Sequence, residues 1–182
     1  MDITVITEAG PIIQLHMLTG ALTLAAGAVA FHRQRRDWIH KVSGRFFVTV
    51  MLILAVSSFF IHEIRVWGPF SPIHLLSAWV LFGLWQGVSA IRRGDVAAHV
   101  GHMRGLYMGT LFGAGLFNFL PGRTTNRLFF PDRPVEGFVI AIVLMGALYL
   151  AMNSTQIRSL ARRRIFPLTR RIFPLGKDAT LR

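Results

Sequence analysis

Residues 38–62 read WIHKVSGRFFVTVMLILAVSSFFIH, and this stretch decides the predicted fold. It is predominantly apolar, and a helix that rises about 1.5 Å per residue crosses the roughly 30 Å hydrocarbon core of a bilayer within its length. A histidine lies near each end, His40 beside the basic residues and His62 at the far end. We therefore interpret the stretch as a membrane-spanning helix with a histidine near each membrane face.

The composition of the whole chain agrees with a membrane protein. Of 182 residues, 53% are hydrophobic and only 15% are charged, which is unusual for a soluble domain. The chain has no cysteine, which excludes disulfides, iron–sulfur clusters, blue-copper sites and covalently attached haem c. Histidine is therefore the strongest metal ligand available, and any haem would be held without a covalent bond.

The apolar segments predict an all-α integral membrane protein, an antiparallel four-helix transmembrane bundle plus a fifth transmembrane helix. Ser71 and Pro72 suit the start of the third helix, Asp95 can cap the fourth, and Pro134 suits the start of the fifth. We predict an N-terminal segment on the outer side at 1–10, a five-helix domain at 11–153 and a cytoplasmic basic tail at 154–182. The predicted spans are 11–31, 43–62, 72–91, 102–120 and 135–152.

The formal net charge of +12 comes from arginines and lysines that flank the apolar segments. By the positive-inside rule this pattern predicts a multi-pass protein of the bacterial inner membrane, with the N-terminus outside and the C-terminus in the cytoplasm. The pattern of a folded nucleic-acid-binding module is absent, so we expect no nucleic-acid partner. The N-terminus lacks the basic start of a signal peptide, and we expect the first helix to be retained.

The basic tail repeats the sequence RRIFPL at 163–168 and 170–175. Arginines alternating with apolar residues suit a surface of anionic lipid, where each adds about 1 kcal/mol of attraction. A disordered tail and a tail that docks on a partner protein are the alternatives.

The seven histidines sort into two layers, with none near the middle of the membrane. In an antiparallel four-helix bundle the first and third helices are diagonal neighbours, as are the second and fourth. His16 and His74 could therefore clamp one iron axially, and His40 and His102 another, with His62 as a possible alternative ligand in the outer layer. For His32 and His99 we expect ordinary contacts with the membrane interface.

Small residues lie one turn after each candidate ligand, as a porphyrin wedged between helices requires. Gly20 follows His16, while Gly44, Gly105 and the pair Ser77 and Ala78 follow the other three. The fourth helix carries a glycine every four residues, a pattern that is also typical of plain helix packing. These glycines are Gly101, Gly105, Gly109 and Gly113. Cations that could pair with haem propionates are Arg36, Lys41, Arg45, Arg93 and Arg104 in the inner layer and Arg65 and Arg127 in the outer.

Four runs, HMLTGALTLAAGAVAFHR, WIHKVSGRFF, SPIHLLSAW and HMRGLYMGTLFGAGLFN, resemble the bacterial membrane protein family DUF2306 over residues 11–118. The alternation of histidines between helix pairs is also similar to the cytochrome b561 arrangement. That second resemblance implies two haems b, the outer held by His16 and His74 and the inner by His40 and His102. It further implies electron transfer between a reductant on one side of the membrane and an acceptor on the other.

Three functions are compatible with these patterns. The first is a haem-binding b-type cytochrome oxidoreductase that transfers electrons across the membrane to a redox partner. The second is a zinc- or copper-binding protein that uses a cluster of His16, His62 and His74, since three imidazoles suit zinc. The third is a non-catalytic accessory subunit of a larger membrane complex. Motifs of hydrolytic enzymes and of phosphate loops are absent.

Overall fold

The computed structural model describes residues 2–33, 37–62, 68 and 71–150, apart from the side chains of His32 and Leu111. The basic tail with its repeated RRIFPL lies outside the described residues. The chain divides into two compact units, Met1–Phe138 and Val139–Arg182. The described residues form helices and no strand. These are α1 Thr4–Thr7, α2 Pro11–His32, α3 Trp38–Ser58, α4 Pro72–Arg92, α5 Val96–Met108, a π-helical segment π1 Gly109–Ala114, α6 Gly115–Asn118, α7 Thr124–Phe129 and α8 Pro134–Leu150.

Three of these helices are long and apolar enough to cross a membrane. They are α2, α3 and α4, with mean hydropathies of 1.6, 1.6 and 1.3 over their most apolar windows. The prediction of an all-helical membrane protein is therefore confirmed. The arrangement of four bundle helices plus a fifth stays a prediction, because α8 is described only as far as Leu150 and α5 by itself has only 13 residues.

α3 and α5 correspond to the predicted spans 43–62 and 102–120. Each begins several residues before its apolar span, because a capping carboxylate sets the start of the helix. The Asp37 side chain accepts the backbone N–H of His40 at 3.0 Å, which starts α3 at Trp38. The Asp95 side chain accepts the N–H of Ala98 at 2.9 Å, which starts α5 at Val96. The predicted cap at Asp95 is confirmed. From there the backbone stays helical through π1 to the end of α6.

Within the first unit, consecutive helices pack side by side. α2 packs against α3, α3 against α4 and α4 against α5, and α2 also contacts α5. The core includes Met51, which is fully buried, together with Phe47 and Ala90.

An aromatic cluster joins α2, α3 and α5. The rings of Phe31 and Tyr107 stack with centroids 4.9 Å apart, and Phe47 meets both edge-on at 6.4 and 6.2 Å. Gly27 makes this approach possible, since a Cβ there would collide with the Tyr107 ring. The Tyr107 hydroxyl donates to the carbonyl of Leu24 at 3.3 Å. The cluster therefore fixes the contact between α2 and α5.

A buried asparagine holds the connection between α6 and α8. The Nδ2 group of Asn126 donates to the carbonyls of Phe119 and Pro134, each at 2.8 Å. α1 packs against the same α7, where the N–H of Asp2 donates to the carbonyl of Leu128 at 2.9 Å. These bonds position α7, which forms part of the site described next.

Candidate functional site

A cavity of about 500 Å³ lies between the helices of the first unit. Its size falls within the range of roughly 300 to 1,000 Å³ that is usual for ligand pockets. Its walls come from α2, α3, α4, α5, π1, α6 and α7 and are mainly apolar. The polar groups among its lining residues include His16, Ser58, Ser77 and Arg123. The cavity therefore combines apolar walls with a few polar groups, as ligand sites do.

His16 enters this cavity from α2 with its tautomer set by a neighbouring helix. Its Nδ1 lies 3.0 Å from the hydroxyl oxygen of Ser57, and that hydroxyl donates its own proton to the carbonyl of Leu54 at 3.0 Å. When the Ser57 hydroxyl donates to Leu54, its oxygen accepts from Nδ1–H of His16. The neutral ring then carries its lone pair on Nε2. A histidine that binds metal shows the same arrangement, with its second ring nitrogen donating to a protein acceptor.

The glycine stripe lies against open space. A Cβ built at Gly101, Gly105, Gly109 or Gly113 would meet no atom within 4 Å in the described part of the chain. The interpretation of this stripe as a close helix contact is therefore wrong for the described residues. Gly105 and Gly109 instead line the cavity beside Thr110 and Ala114 of π1. π-Helical turns are rare and occur frequently at functional sites.

His74 is buried, and its hydrogen bonds give the opposite tautomer. Its Nδ1 accepts the backbone N–H of Ser71 at 3.0 Å, within a capping box that starts α4. A backbone N–H can only donate, so the neutral ring carries its proton on Nε2. Coordination of a metal through Nε2 would therefore require His74 to release Ser71. The predicted first-turn position of Pro72 and the cap at Ser71 are confirmed.

His62 is exposed and lies beside His74, with ring centroids 5.8 Å apart. Neither residue is among the described residues that line the cavity. Within the described part of the chain, no three His, Asp or Glu side chains are placed to hold a metal ion. The predicted zinc or copper cluster of His16, His62 and His74 is therefore not formed there.

At the opposite end of the helices, His40 resembles His16 in its hydrogen bonding. Its Nδ1 donates to the carbonyl of Ala30 at 3.2 Å, which leaves the lone pair on Nε2. Gly44, one turn on, faces open space within the described residues. His102, its predicted partner, lies on the exposed side of α5.

His99 shows a feature that the sequence reasoning missed. Its Nδ1 donates to the carbonyl of Gly87 on α4 at 2.9 Å, so its Nε2 also carries the lone pair. The spacing of His99 and His102, three residues apart on one helix, was the available signal. His99 therefore joins His40 and His102 among the candidates at this end.

Arg123 is the second residue that the sequence reasoning missed. It lines the cavity, and its guanidinium carbon lies 4.7 Å from the centre of the Phe117 ring. Arg127, which was predicted for this role, is exposed and is not among the described lining residues. Arg36 and Arg65 lie outside the described residues, while Lys41, Arg45 and Arg93 are exposed and Arg104 is half-buried.

The chain was compared with protein families, curated proteins and solved structures. A family model, described as a predicted membrane protein, DUF2306, matches residues 13–152. The matched range extends from α2 to the end of the described chain and contains His16, Ser57 and Arg123. No curated protein and no solved structure matches the chain.

Proposed function

Since this chain belongs to the DUF2306 family of predicted membrane proteins, we propose that it is a membrane haem protein that binds haem b in the cavity through His16. The observation that carries the proposal is the bond from Nδ1 of His16 to Ser57, which leaves the Nε2 lone pair of a cavity-lining histidine for iron. Haem b supplies a one-electron carrier when it is bound.

The other walls of the cavity suit the remaining parts of a haem. A porphyrin is flat and largely apolar, so it needs apolar walls and helices that it can approach closely. Gly105 and Gly109 provide such a wall, since no described side chain fills the space above them. Leu24, Val80 and Leu106 line the same space and make its walls apolar. The residues present therefore fit the proposed group.

The wider proposal is electron transfer across the membrane, with a second haem held at the opposite end by His40 and His102. It is supported by the hydrogen bond from His40 to Ala30, which repeats the arrangement of His16. The aromatic cluster lies between the cavity and the region of His40. On the cavity side, the carbonyl of Leu24 accepts from Tyr107. On the other side, Ala30 directly precedes Phe31, whose ring stacks on Tyr107. Along α2 the two carbonyls are about 9 Å apart.

A visible spectrum tests this proposal. The protein is purified in detergent from haem-replete cells, and a reduced-minus-oxidised spectrum is recorded together with the ratio of haem to protein. Wild-type protein should show b-type bands, and His16→Ala should lose one haem per chain. Gln14→Ala, which removes a hydrogen-bonded side chain of the same helix that is not among the described lining residues, is the matched control for folding and should keep that haem. A colourless wild-type protein would contradict the proposal.

A further inference from the structure

We propose that Arg123 binds a carboxylate of the molecule in the cavity. The inference rests on the proposed function, under which that carboxylate is a haem propionate. It assigns an orientation to the ligand, with its anionic edge toward α7 and its iron toward His16.

The first argument is the charge of the cavity walls. Among the described residues that line the cavity, Arg123 is the one cation, and none is an aspartate or glutamate. The remaining walls are mostly apolar, so an ion pair formed there is screened less than one on the surface.

The second argument is that the Arg123 side chain is held in place. Its guanidinium packs over the ring of Phe117, which also lines the cavity. The planar guanidinium presents its N–H donors in a fork that matches a carboxylate in a bidentate pair. Arginine therefore suits this position better than lysine would.

The third argument is that the backbone of Arg123 is also fixed. Arg123 is the N-cap residue of α7, and its carbonyl accepts the N–H of Arg127 at 2.9 Å. Asn126 ties the start of α7 to Phe119, which lies between Phe117 and Arg123 in the chain. A positioned cation binds an anion with less loss of conformational freedom than a mobile one.

The experiment compares two ligands that differ only in their charge. Wild-type protein from haem-depleted cells is titrated with haem b and with haem b dimethyl ester, whose propionates are esterified and neutral. The same titrations are made with Arg123→Gln, Arg123→Lys and Arg127→Gln. Arg127 is the matched control because it is an exposed arginine of the same short helix that does not line the cavity in the described structure.

We expect Arg123→Gln to weaken haem binding about tenfold or more and to leave binding of the ester unchanged. The haem affinity of Arg123→Lys should fall between those of Arg123→Gln and wild type. Arg127→Gln should bind both ligands with the affinity of wild type. Equal affinity of wild type and Arg123→Gln for haem would overturn the inference. Equal weakening for haem and ester would also overturn it, since that result shows a structural role. Failure of the wild-type protein to bind either ligand would instead overturn the proposed function itself.

Discussion

The imidazole Nδ1 of His16 and the hydroxyl of Ser57 lie 3.0 Å apart, joining α2 to the last turn of α3. This bond orients the ring and selects the tautomer with its lone pair on Nε2. Loss of such a supporting bond typically lowers metal affinity by 10- to 100-fold. We therefore predict that Ser57→Ala weakens haem binding by about that factor, as measured by titration of the apoprotein. Ser43→Ala is the matched control, because within the described residues the Ser43 hydroxyl bonds its own helix at Ile39 and His40. Equal affinity of the two variants would contradict the prediction.

The hydrogen bond from Ser71 to His74 predicts a different outcome for His74→Ala. This variant removes the capping box and a buried ring that packs beside Phe59, so its thermal unfolding temperature should fall. It should nevertheless retain the haem that His16 anchors, which a haem-to-protein ratio measures. Loss of haem equal to that in His16→Ala would show instead that His74 is an essential ligand.

A large side chain placed on the glycine stripe tests whether the ligand occupies the cavity. Gly105→Leu should place a side chain in the cavity and prevent haem binding, while the fold tolerates it because no described atom lies within 4 Å of the added Cβ. Gly101→Leu is the matched control, since Gly101 also faces open space but is not among the described lining residues. If both variants retain the His16-dependent haem, the ligand does not occupy this cavity.

Substitution of Gly27 should lower the stability of the fold, unlike substitution of Gly105. A methyl group at Gly27 would collide with the ring of Tyr107, so Gly27→Ala must displace the aromatic cluster. Overpacking of this kind costs about 1 to 3 kcal/mol. We expect a lower unfolding temperature for Gly27→Ala than for wild type, measured by thermal denaturation in detergent. Gly105→Ala, with open space at its Cβ, should show no such loss; the same loss in both would refute the packing argument.

The ion pair between Arg33 and Asp37 predicts a stability that depends on pH. Their side chains meet at 2.6 Å, and the hydrogen bond from Arg33 holds the pKa of the Asp37 carboxyl below its ordinary value. The folded state therefore binds this proton more weakly than the unfolded state does, so the contribution is complete above the ordinary pKa. It is lost as pH falls through the lowered value in the folded protein.

Asp37→Ala should therefore lower the unfolding temperature at neutral pH, and the difference from wild type should narrow as the pH falls below about 4. Thermal denaturation at several pH values checks this. Asp132→Ala, which changes an exposed aspartate, should unfold at nearly the same temperature as wild type at every pH. A constant difference between Asp37→Ala and wild type across the whole range would argue against the ion pair.

Local sequence signals were enough to predict most of the helices. Hydropathy identified α2, α3 and α4, and the capping residues Ser71 and Asp95 marked two of the helix starts. The capping carboxylates of Asp37 and Asp95 start α3 and α5 ahead of the apolar spans 43–62 and 102–120, because a cap accepts backbone N–H groups wherever the apolar run begins. The two layers of histidines stay a prediction from the sequence, which rests on the position of each histidine along its helix.

By itself, then, the sequence determined a helical membrane protein with histidines near both ends of its helices. For His16 and His99, the tertiary structure decided which ring nitrogen carries the proton, because their partners Ser57 and Gly87 lie on other helices. It also decided that the glycine stripe opens onto a cavity and that Arg123, rather than Arg127, lines it. The physical reason is that capping and hydropathy act between neighbouring residues, whereas tautomers and cavities depend on groups that only the packed helices bring together.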